Sequence, residues 1–68
     1  MELKTVDQNG ALVFLTRDEL LTIGQALNEV CHGLDIPEFA TRMGVEREVA
    51  IDLLHRIHAI RDMVPKPT

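Results

Sequence analysis

A chain of 68 residues, 46% hydrophobic and 26% charged, has the composition of a folded domain and excludes a disordered or fibrous one. The length implies a single small domain over residues 1–64 with a tail at 65–68, too short for the usual nucleotide-binding or barrel enzyme folds. A net charge of −4 works against polyanion partners, the lone Cys31 excludes an internal disulfide, and no apolar run approaches the ~20 residues of a membrane span, so the expected setting is the cytoplasm.

The first element is a β-hairpin. Residues 2–6 (Glu-Leu-Lys-Thr-Val) and 11–15 (Ala-Leu-Val-Phe-Leu) are β-rich and flank Asp7-Gln8-Asn9-Gly10. Asn-Gly favours the positive φ of a tight type I′ turn. With Asn9 and Gly10 as the loop, Val6 faces Val13, while Leu3, Thr5, Leu12 and Phe14 share the other face. Both faces are then apolar, so the ribbon is expected to lie on helices and to leave an edge open to another chain.

Thr16-Arg17-Asp18-Glu19 fits a capping box, in which the Thr hydroxyl accepts from the third amide and Glu19 reaches back. Leu20, Ile23, Leu27, Val30, Cys31 and Leu34 follow at helical spacing, so a first helix is expected over 17–32, stopped by Gly33 in the left-handed conformation. Asp35-Ile36-Pro37-Glu38 reads as a second capping box opening a short helix with Phe39, Ala40 and Met43 inward, ended by Gly44. A third helix starts at Glu46, carries Val49, Ala50, Leu53, Leu54, Ile57 and Ile60 on one side, and ends before Pro65. The architecture expected is α+β: an N-terminal β-hairpin packed on three α-helices, the last two arranged like a helix-turn-helix.

The segment from Ile36 to Leu53 resembles a helix-turn-helix, with Ala40 allowing close approach, Gly44 taking the turn and Val45 plugging the junction. A DNA-binding version needs basic residues at the start of its second helix, which enters the major groove between phosphates. Here Glu46, Arg47, Glu48 and Asp52 carry one positive and three negative charges, and Arg42, Arg47, Arg56 and Arg61 are scattered among acids. Charge therefore disfavours nucleic acid, and a dimeric helix-turn-helix transcription regulator is kept as the alternative.

Chemistry is equally sparse. His55 and His58 are three residues apart and Cys31 adjoins His32, but the C-x₂₋₄-C and H-x₃₋₅-H spacings of structural zinc are missing, so no metal or other cofactor is expected. Cys31 and His32 diverge by about 100° on a helix and cannot form a dyad. No nucleophile-elbow, phosphate-loop, dinucleotide or zinc-protease motif occurs, so the protein is read as non-catalytic. Asn28, a mediocre helix former in mid-helix, is expected to bond locally to the loop at Leu34–Asp35 or to the hairpin.

Nearly the whole chain resembles short bacterial proteins that follow a hydrophobic hairpin with Asn-Glu-Val-x-x-Gly and Phe-x-Thr-Arg-x-Gly-Val, here Asn28-Glu29-Val30-Cys31-His32-Gly33 and Phe39-Ala40-Thr41-Arg42-Met43-Gly44-Val45. The resemblance implies a bacterial source and no particular activity. In size and acidity the chain is also similar to immunity proteins and antitoxins, which block a toxin by covering its active site. The expected function is protein binding through Asp18, Glu19, Glu29, Glu46, Glu48 and Asp52, with a basic protein as partner. A homodimer joined at the hairpin edge or through Ile51 and Ile60 is expected to support the small core.

Overall fold

Residues Glu2–Asp7 (β1) and Gly10–Phe14 (β2) form an antiparallel hairpin, and the computed structural model describes residues 1–66 in all, so Pro67 and Thr68 of the expected tail lie outside the described residues. The loop sits one residue earlier than the Asn-Gly signal suggests. Asp7 pairs with Gly10, which leaves Gln8 and Asn9 as the loop. Asp7 itself explains the shift: its Oδ1 accepts from the amides of Asn9 (2.8 Å) and Gly10 (3.2 Å), an Asx turn that works at negative φ. Among the described residues only Glu38 and Gly44 have positive φ, so the type I′ geometry is not used.

A β-bulge between Leu3 and Thr5 then resets the faces. Leu3 lies opposite Val13 and Val6 opposite Ala11, in place of the expected Val6–Val13 pair. Directly opposed residues share a face, so Leu3, Val6, Ala11 and Val13 make one wholly aliphatic side, and Leu12 and Phe14 fall on the other with Glu2, Thr5 and Asp7. Every strand residue is exposed, Leu3 to 60% and Val6 to 65%. The hairpin's packing on the helices is confined to its base, where the Met1 ammonium pairs with Glu19 and Leu15 is half-buried.

Helix α1 spans Arg17–Asn28 and opens on the expected capping box: Thr16 Oγ1 accepts from the Glu19 amide at 3.1 Å, and Glu19 Oε1 accepts from the Thr16 amide at 2.9 Å. Its end differs from expectation. A π turn, Glu29–Gly33, follows Asn28, closed by a bond from the Leu34 amide to the Glu29 carbonyl at 2.8 Å. Gly33 is not left-handed. A Cβ built there would lie 2.5 Å from Oε2 of Glu29, an exposed, flexible side chain that folds back over the turn and can swing clear. Asn28 heads this turn and makes no side-chain cap bond, so the local bond expected of it is not formed. Leu34, expected in the core stripe, is 54% exposed in extended backbone.

Helix α2 is a single turn and a half, Phe39–Met43. The capping box expected from Asp35 to Glu38 does not form, because Glu38 is itself the N-cap and sits left-handed at φ 54°, which breaks helical geometry ahead of Phe39. Gly44, at φ 82°, ends the helix by donating to the Ala40 carbonyl at 2.8 Å. Gly44-Val45-Glu46 lead into α3, Arg47–Met63.

Helices α1 and α3 pack antiparallel: Gly24 meets Ile57 and His58, while Cys31, beyond the end of α1, clusters with Phe39 and Ala50. Leu20 and Leu54 are also buried, and Val30, Ile36, Met43 and Ile51 close the Cys31 cluster. The apolar side expected of α3 is split. Ala50, Leu54 and half-buried Ile57 turn inward, whereas Val49, Leu53 and Ile60 are 54%, 47% and 50% exposed. Helix α1 covers only one stripe of α3, and no hairpin lies across the rest.

Candidate functional site

Five of the six acids fall into two sets. Asp18 and Glu19 occupy the first turn of α1, Glu29 begins the π turn, Glu46 caps α3, Glu48 lies in its first turn, and Asp52 is one turn on. Asp18 and Glu29 stand eleven residues apart, about 16 Å along the helical axis. Because α1 and α3 are antiparallel, Glu29, Glu46 and Glu48 gather at one end of the helix pair, and Asp18 and Glu19 lie at the other.

These carboxylates are not equivalent. The Met1 ammonium, followed by the Thr16 amide, lowers the pKa of Glu19 from 4.5 to about 2, so this residue holds the capping box and the chain start together. Asp52 is paired with Arg56 at 2.8 Å. The Glu29 carboxylate bends back against Gly33. Glu46 and Glu48 are exposed, and among the described residues neither takes part in an ion pair.

The basic residues point elsewhere. Arg47, which a DNA-reading helix would turn outward, donates from Nη1 to the Cys31 carbonyl at 2.5 Å and lies 4.5 Å from the centroid of the Phe39 ring. It thereby ties the π turn and α2 to α3, a cation–π contact and a cross-element hydrogen bond from one side chain. Arg61 is paired with Asp62 at 2.9 Å. Arg42 is exposed at the end of α2. His55 is exposed, while His58 is half-buried against Gly24 with Nε2 enclosed and unpartnered. Cys31 is buried beneath the Arg47 contact and His32 is exposed. Among the described residues no group of three His, Cys, Asp or Glu side chains could hold a metal ion, and no helix is long and apolar enough to cross a membrane.

One surface feature is only partly foreshadowed by the sequence. Val49, Leu53, Ile60 and Met63 form an exposed apolar row along α3, with Val45 preceding it by one turn. Its signal is the spacing 49-53-56-60-63, an alternation of four and three residues; the sequence puts Val49, Leu53 and Ile60 on one side of α3 with Ala50, Leu54 and Ile57, and of this row only Ile60 is expected at a dimer contact. Ile51, expected at the margin, is instead part of the core. Comparison with protein-family models, curated proteins and solved structures finds no match.

Proposed function

We propose that the chain is a small, acidic, non-catalytic module that binds a basic protein, and that an immunity or antitoxin protein covering the active site of a basic toxin is its concrete form. The observation that carries this reading is the treatment of charge around α3. Arg47 is drawn inward onto Phe39 and the Cys31 carbonyl, Arg56 and Arg61 are paired with Asp52 and Asp62, and Glu46 and Glu48 stay exposed without an ion-pair partner among the described residues. Exposed carboxylates on a small body steer basic partners and repel phosphates.

A dimeric helix-turn-helix regulator is the second reading, favoured by the three-residue turn and by Gly44 at φ 82° between α2 and α3. Two measurements separate them. Affinity capture with the native chain should recover a basic protein whose association at low salt slows about tenfold with the Glu46→Lys/Glu48→Lys variant. Anisotropy of a labelled DNA duplex at low salt should not change. Salt-sensitive DNA binding that is lost in Arg42→Ala would reverse the ranking.

A further inference from the structure

We infer that the outer apolar row of α3 is a two-fold interface, on which a second copy of this chain packs its own α3 antiparallel. The row has the alternating four- and three-residue spacing of a helix–helix seam, and its apolar members are far from buried: Val49 54%, Leu53 47%, Ile60 50% and Met63 81% exposed, with Val45 at 40%. Arg56 takes the remaining place, already neutralised by Asp52 at 2.8 Å.

The area fits a second copy. A compact monomer of 7.7 kDa exposes about 4,300 Å², whereas this chain exposes 5399 Å². The excess is about 1,000 Å² per chain, shared between the open hairpin and the outer row of α3; the row's share, about half, makes about 1,000 Å² over two chains, the lower end of a specific interface. The shape agrees: the molecule is only 15 Å thick, with a radius of gyration of 13.6 Å against about 11 Å for a compact chain of this length. A helix pair covered on one side supplies one layer of a two-layer fold, and a copy supplies the other.

Charge selects the direction. In a parallel pair the acidic first half of α3, with Glu46, Glu48 and Asp52, would face itself. An antiparallel pair sets it beside the half in which Arg61 and Asp62 neutralise each other and which leads to Lys66. Antiparallel helix dipoles add to this preference. Leu53 then meets the partner's Ile60, Val49 meets the partner's Met63, and Arg56 lies near the axis. Glu48 stands about 100° round the helix from Val49 and stays at the rim.

Sedimentation equilibrium of the full chain from about 5 to 200 μM should give twice the 7.7 kDa mass, and Leu53→Lys should weaken association about 100-fold. Register is read independently by mixing Leu53→Cys and Ile60→Cys chains under mild oxidation. Mixed disulfides should predominate over either homodisulfide, with the unaltered chain, whose Cys31 is buried, as blank. The trapping needs no disruptive variant, so the test survives if Leu53→Lys does not fold. A monomer at every concentration, homodisulfides of Leu53→Cys in excess, or a dimer abolished by Val6→Lys but untouched by Leu53→Lys would overturn the interface.

Discussion

Gly24 lies where α1 meets Ile57 and His58 of α3. A Cβ added there would lie 2.6 Å from His58 Cδ2 and 2.7 Å from His58 Nε2, distances that real side chains do not hold. Two effects oppose each other in Gly24→Ala. Helix propensity favours alanine by about 1 kcal/mol in mid-helix, while forcing a packed ring aside costs about 1–3 kcal/mol. The imidazole is half-buried with Nε2 enclosed, so the steric term wins and Gly24→Ala should destabilise by about 1 kcal/mol. In a His58→Ala background the obstruction is gone and the same change should stabilise by about 1 kcal/mol. Urea melts of the four proteins in this double-mutant cycle check the reversal of sign. The same effect in both backgrounds would mean that His58 does not set the helix spacing. The sequence alone shows no evident role for Gly24, because its purpose depends on His58, 34 positions later.

At the scale of elements, legibility follows how local the cause is. The α1 capping box involves Thr16 and Glu19 alone and was readable, as were the turn at Gly44 after α2 and, to within a residue or two, the extent of α3. The hairpin's existence was readable too, but its register was not, because the Asp7 Asx turn moves the loop by one residue and the Lys4 bulge transfers Leu3 to the face of Val6. Of the candidate site, the residue types were legible and their grouping was not: the antiparallel pairing of α1 and α3 is what separates Asp18 and Glu19 from Glu29, Glu46 and Glu48. Helix α2 gives the sharpest element-level test, since left-handed residues stand at both of its ends. A non-glycine residue in that conformation costs about 1 kcal/mol or more. Glu38→Gly should therefore stabilise by about 1 kcal/mol, and Gly44→Ala should destabilise by about 1–2 kcal/mol. Nothing lies within 4 Å of a Cβ built at Gly44, so that loss is conformational, and Gly44→Asn should recover roughly half of it. Thermal and urea unfolding of the three variants measure this. An unchanged Gly44→Ala would show that the turn relaxes out of the left-handed region.

Across the whole molecule, stability is concentrated where α1 and α3 touch and falls away toward the hairpin. Leu20, Cys31, Phe39, Ala50 and Leu54 are the buried apolar side chains, and none of them belongs to β1 or β2. A two-stranded ribbon exposed on both faces has little beyond its own ladder to hold it, and such ribbons are marginal in water. Its attachment is the Met1–Glu19 pair and the chain passing through Leu15 into the Thr16 cap. An antiparallel α3 interface leaves this arrangement unchanged, because the aliphatic face of Leu3, Val6, Ala11 and Val13 is on a different element. Native-state hydrogen exchange should therefore resolve two tiers. Ladder amides of the hairpin should open at about 1–2 kcal/mol, whereas amides around Gly24 and Leu54 should approach the global unfolding free energy. Raising protein concentration should increase protection in α3 while the hairpin stays labile. Hairpin amides protected as strongly as those beside Leu54 would place the aliphatic face of β1 and β2 under a covering surface, and would make the hairpin, not α3, the element through which copies meet.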